Sequence, residues 1–156
     1  MKICMVLAMV FAVSCTAQDN TVARVIFAEA ANADHLEKKL VMSVILNRVG
    51  HIGFGRIEST RGVVLQSKAF SCVNGKGSTL WTISGNPSKI DGLNRDTWKE
   101  CLDVAKMTVP LRTDIVYYHD HSIKKPSSWN NAYWNAIEVV RTKKFVFYRV
   151  EEQKHQ

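Results

Sequence analysis

Acidic side chains are in short supply: 14 Asp and Glu stand against 21 Lys and Arg, for a formal charge of +7. The imbalance favours polyanionic partners (cell-wall polymers, anionic membrane surfaces, nucleic acid) without choosing among them. Long apolar runs are absent after Val13, so no later segment is a candidate to cross a bilayer. No internal repeat or low-complexity tract is visible, which removes repeat arrays and disorder as starting points. No Cys/His spacing matches a zinc site, and metal and cofactor chemistry are not expected. The glycine-rich "GHIGFGR" lacks the Gly-Lys-Ser/Thr and the strand–helix setting of a phosphate loop. The 156 residues suit one domain with a real core.

What is present begins with "MKICMVLAMVFAVSCTAQDN". One lysine, an apolar run and small polar residues spell a secretory signal over residues 1–17, with the mature domain at 18–156. Two alternatives are lipidation at Cys15, which would add membrane attachment, and an uncleaved apolar anchor. Cleavage removes Lys2 and no acid, so the mature chain stays basic. With Cys4 and Cys15 in the leader, Cys72 and Cys101 remain. An even pair in an oxidising compartment suggests a disulfide, worth about 3 kcal/mol in the chain-entropy picture; the alternative is two buried thiols.

The apolar periodicity of "TVARVIFAEAANA" predicts a first helix, with Asn20 as its cap. Val22, Val25, Ile26 and Ala33 share one stripe, and Glu29 lies in its middle, with Arg24 opposite on the solvent side. Asp34 and Glu37 have capping-box spacing and open "HLEKKLVMSVILNRV", apolar nearly all round and so central. Ser43 and Asn47 lie four apart on one stripe of that helix, so this polar stripe is expected to face Glu29. "GVVLQSKAFSCV" predicts a short apolar element and a turn, and "NGKGSTLWTISGNPSKIDG" a surface loop. "LNRDTWKECLDVAKMTV" predicts a third helix capped by Asn94 and ended by Pro110. "DIVYYHDH" and "KKFVFYRV" are aromatic and β-branched and predict two strands, joined through "SIKKPSSWNNAYWNAIEVVRT", a loop with a short helix. The fold class is α+β: helices packed on a small antiparallel sheet.

A carboxyl among aliphatics loses hydration, which favours its protonated form. That is the form a glycosidase needs to protonate a departing glycosidic oxygen. The competing reading pairs Glu29 with a buried Arg48, tying two elements together. No second carboxylate stands out among Asp34, Glu37, Asp91, Asp114 and Asp120. A single acid would suffice if the sugar's own hydroxyl attacked intramolecularly. His119 and His121 share a strand face but lack a third ligand. Tyr117, Tyr118, Trp129, Tyr133 and Trp134 offer flat faces for sugar rings, or for the core.

"VARVIFAEAANADHLEKKLVMSVILNRV", "VVLQSKAFSCV", "IVYYHDHSIKKPSSW" and "KKFVFYRV", in this order, resemble the SleB/CwlJ-type cell wall hydrolases. The resemblance implies a lysozyme-like single domain acting on peptidoglycan between N-acetylmuramic acid and N-acetylglucosamine. It further implies a lytic transglycosylase, with Glu29 as catalytic acid. Two stretches depart from the family pattern. Lys143 and Lys144 precede "FVFY" where a histidine is common, and "AANADH" replaces a glycine-rich sequence. The expected substrate-binding residues are Asn47, Phe70, Ser71, Tyr117, Tyr118, His119, Trp129 and Tyr148, with Ser43 and Arg48 buttressing the acid. The partner is expected to be peptidoglycan rather than nucleic acid, and the protein an exported monomer.

Overall fold

The computed structural model describes residues 20–74, 78–130 and 134–153. The expected signal segment, Cys4, Cys15 and Tyr133 lie outside these residues. Six α-helices come first: α1 (Thr21–Ala30), α2 (His35–Arg48), α3 (Thr60–Leu65), α4 (Ser71–Asn74), α5 (Thr79–Ser84) and α6 (Gly92–Val104). Three strands follow, β1 (Tyr117–Asp120), β2 (Trp134–Arg141) and β3 (Phe145–Glu152), in an antiparallel sheet of order β1-β3-β2. The α+β class read from the sequence is the class observed.

α1 is the hub and packs against all five other helices. Ala23, Val25, Ile26, Phe27 and Ala30 are all buried on it, more than one stripe can hold, so the helix is enclosed. Arg24 therefore does not face solvent. Its guanidinium lies 3.9 Å from the centre of the Trp81 ring and donates to the Trp81 carbonyl at 3.0 Å. Trp81 belongs to α5, in the stretch read as a surface loop. Ser78 caps that helix by accepting from the Trp81 N–H. Asn20 stands at the start of α1, but its side chain makes no capping bond.

α2 opens with the expected capping box: the Asp34 carboxylate accepts from Glu37 N–H, and Glu37 accepts in return from Asp34 N–H. Leu40, Val41, Met42, Val44 and Ile45 are buried along it, as an all-round apolar pattern requires. The polar stripe, however, faces away from Glu29. Ser43 Oγ accepts from Leu111 N–H, and Asn47 Nδ2 donates to the carbonyls of Arg112 and Ile115. These bonds pin the irregular segment that leads into β1. α6 starts earlier than expected, capped by Asp91 rather than Asn94; Asn94 supplies the N–H that Asp91 accepts.

β3 sends successive side chains to opposite faces, and its first four residues are buried on both. Phe145 and Phe147 enter the helical core, while Tyr148 and Val146 form a second small cluster with Ala136, flanked by Tyr117 and Trp129. β2 corrects the reading of its segment as loop and helix: Trp134–Arg141 pairs antiparallel with β3, with an irregularity between Glu138 and Val140. The short helical turn in that stretch, Ser127–Trp129, precedes the strand.

The expected disulfide is absent. Cys72 and Cys101 are both free and buried, one beside α1 and the other inside α6. Burial pushes the Cys101 thiol up to about 12 and raises Cys72 as well, so neither is poised to react in the folded state. Thiol titration of the unfolded, non-reduced protein should find both free, while the native protein reacts slowly at both. A bridged 72–101 peptide in a non-reducing digest would contradict this.

Candidate active site

The last turn of α1, the C-terminal end of α2, the 66–71 segment, β1 and the 123–129 loop enclose a cleft of about 530 Å³. Glu29 lies in its wall, half-buried. Its Oε1 accepts two hydrogen bonds, from Ser71 Oγ at 3.1 Å and from Cys72 N–H at 2.9 Å. Among the described residues its Oε2 accepts none and Glu29 has no ion pair, so the competing Arg48–Glu29 pair does not form. Arg48 is buried and donates from Nε to the Val116 carbonyl at 2.8 Å. Its guanidinium lies over Phe54, Phe70 and Tyr117, with 4.6 Å to the centre of the Phe54 ring. That charge is spent on holding three aromatic walls together.

Six of the eight residues expected to bind substrate line this cleft: Phe70, Ser71, Tyr117, Tyr118, His119 and Trp129. Tyr117 and Trp129 stack at 4.6 Å and 17°, a paired aromatic surface at the cleft. Two residues lie elsewhere. Asn47 is committed to the Arg112 and Ile115 carbonyls, and Tyr148 is buried behind His119. His119 Nδ1 meets the Asp120 carbonyl at 2.7 Å, so in the neutral ring it is Nδ1 that carries the hydrogen. Nε2 then accepts from the Tyr148 hydroxyl at 2.9 Å. The imidazole is thus braced at both nitrogens rather than free to act as a base.

Sequence reasoning missed Phe54, Lys68 and Lys144 as lining residues, and it left Asp120 undistinguished among five carboxylates. Phe54 had a signal, since it sits between Gly53 and Gly55. Gly55 takes φ +80°, a left-handed conformation that closes the turn presenting Phe54 to Arg48. Asp120 is the other cleft carboxylate. Its hydrogen bonds from Ser122 hold it below the usual carboxylate range, so it stays ionised at neutral pH. Among the described residues no three His, Cys, Asp or Glu side chains converge to hold a metal, and no helix is long and apolar enough to cross a membrane.

No curated protein and no solved structure matches this chain. The family model described as Cell Wall Hydrolase matches residues 32–148. The matched region contains every wall of the cleft except the one bearing Glu29, which precedes it by three residues. Spanning most of the chain in the order the fold uses it, that match shows that the chain belongs to the SleB-type cell wall hydrolase family.

Proposed function

We propose that the cleft cuts the glycan strand of peptidoglycan between N-acetylmuramic acid and N-acetylglucosamine, as a lytic transglycosylase with Glu29 as the single acid and base. The carrying observation is the asymmetry of the Glu29 carboxyl. One oxygen is fixed by Ser71 and Cys72, and the other accepts no bond from the described residues in an aromatic-walled cleft. A proton on Oε2 passes to the glycosidic oxygen, and the C1–O bond breaks. The carboxylate then takes the proton of the muramic C6 hydroxyl as that oxygen attacks C1, closing an anhydro ring. Proximity of the internal nucleophile spares the protein from positioning a water. Membership of the family and the basic charge both fit an exported protein working on an anionic wall.

Asp120 supports a second reading. An ionised carboxylate in the same cleft could activate water, as in two-carboxylate glycosidases. Mass spectrometry of the products from intact sacculi separates the two. Anhydro-muramoyl ends are expected; reducing ends that take up ¹⁸O from labelled water would establish hydrolysis instead.

A further inference from the structure

Two buried side-chain polar atoms among the described residues lack any hydrogen-bond partner: Arg24 Nε and the Tyr118 hydroxyl. Arg24 is partly satisfied through Nη2. The Tyr118 hydroxyl makes no bond of good geometry, and it is shut off from solvent although the residue as a whole is only half-buried. A buried hydroxyl left bare costs about 1–3 kcal/mol, so its persistence in a cleft asks what it is kept for. The ring cannot turn away, because Phe145 meets it edge-on at 5.3 Å and Phe147 and Phe70 flank it. Burial first, then the nearby Glu29 charge, and also hydrogen bonding to that carboxyl, hold the phenol well above its usual range, with Arg48 opposing. Tyr118 is therefore a fixed O–H donor close to the Glu29 carboxyl but without a well-formed bond to it.

The Glu29 carboxyl lies close enough to act on the phenol both by its charge and as an acceptor. Its Oε1 already takes bonds from Ser71 and Cys72, and those bonds serve the acid and the carboxylate alike, because the carbonyl oxygen of a carboxylic acid accepts two. Oε2 is different. While it carries the proton it is a poor acceptor, and once the proton has left it is a strong one. Resting on the reading of Glu29 as general acid, we propose that Tyr118 is a positioning residue whose hydroxyl bonds Glu29 Oε2 only after that oxygen has given up its proton. Such a bond forms late in the step and so lowers the barrier rather than stabilising the resting enzyme. The other groups that act at this point are Arg48 from α2 and Cys72 from α4. Lys68, His119, Asp120 and Lys144 also line the cleft.

The test is Tyr118→Phe, assayed on soluble uncrosslinked glycan strands beside Glu29→Gln. A hydrogen bond to a charged group sets the scale. kcat should fall about tenfold to a hundredfold with KM unchanged. The high-pH limb of the kcat profile should move up, because a donor to the departing proton's oxygen has been removed. Tm should hold or rise, since an unsatisfied buried oxygen has gone. Wild-type kcat and pH limb, a change in KM alone, or a fall in Tm would each overturn the inference. If Glu29→Gln stays active, the reading of the site itself fails. If Glu29→Gln is dead while Tyr118→Phe behaves as wild type, only the role of Tyr118 fails.

Discussion

Glu29→Gln is expected to remove strand cleavage, lowering kcat by a factor of about 10²–10⁴, the usual worth of a positioned general acid, while Tm stays at the wild-type value. The structure dictates both halves of that result. Gln keeps a carbonyl oxygen where Oε1 stands, so Ser71 Oγ and Cys72 N–H still find their acceptor. The amide nitrogen replaces Oε2, which accepts no bond among the described residues, so no native contact is lost; the unpartnered Tyr118 oxygen can even accept from it. What disappears is the only proton that the cleft can deliver from this position. The measurement pairs turbidity loss of sacculi with thermal melting of the same preparation. A variant that lyses at the wild-type rate would remove Glu29 from the chemistry. Wild-type protein that binds sacculi and releases no fragments would leave a wall-binding domain on this fold.

The sequence carried the helical half of the molecule more fully than the sheet, and the reasons are local. The Asp34/Glu37 box and the apolar run of α2 agree with one another, and the helix forms where both point. Glu29 stood out as a candidate because a carboxylate on an apolar stripe is anomalous at the level of periodicity alone, and it lies in the cleft wall. β2 was not legible. "WNAIEVVR" mixes helix-compatible Ala and Glu with β-branched Ile and Val, and its strand state is set by pairing with β3, a tertiary fact. α5 was hidden by its flanking Gly, Asn and Pro, and the Ser78 cap was the overlooked signal. The Ser43–Asn47 stripe shows the limit of facing arguments. Spacing established that the two polar groups share a face and need partners. It did not reveal that the 111–116 backbone would supply them. The cleft's far wall was hardest to foresee, because Lys144 and Phe145 reach it only through the β2–β3 turn.

That turn is held by Glu37, and Glu37→Ala should be the costliest single change to stability outside the apolar core. The side chain is 2% exposed, and each oxygen is engaged. Oε1 accepts from Thr142 Oγ at 2.6 Å and Lys144 N–H at 2.7 Å, and Oε2 accepts from Asp34 N–H at 2.9 Å. One carboxylate thus closes the capping box of α2 and clasps the turn between β2 and β3. Truncation leaves the Asp34 and Lys144 N–H groups bare at a covered junction and returns the Thr142 hydroxyl to the Phe145 carbonyl, for a loss of about 3 kcal/mol or, in a domain of this size, about 6–12 °C in Tm. Glu37→Gln should fall between, since its amide must turn an N–H towards one set of donors. The pH dependence has a definite sign. Burial alone would raise the Glu37 carboxyl, but the bonds from Thr142, Asp34 and Lys144, with the Lys144 charge, outweigh it and leave the group below its ordinary 4.5. A depressed carboxyl stabilises the fold at pH values above the unfolded value and loses that contribution as pH drops through the folded one. The Tm gap between wild type and Glu37→Ala should therefore be widest at neutral pH and narrow below about 4.5. A gap that stays constant from pH 7 to pH 3 would show that the clasp does not depend on charge. A variant as stable as wild type at pH 7 would show that the two halves of the fold are joined by other means.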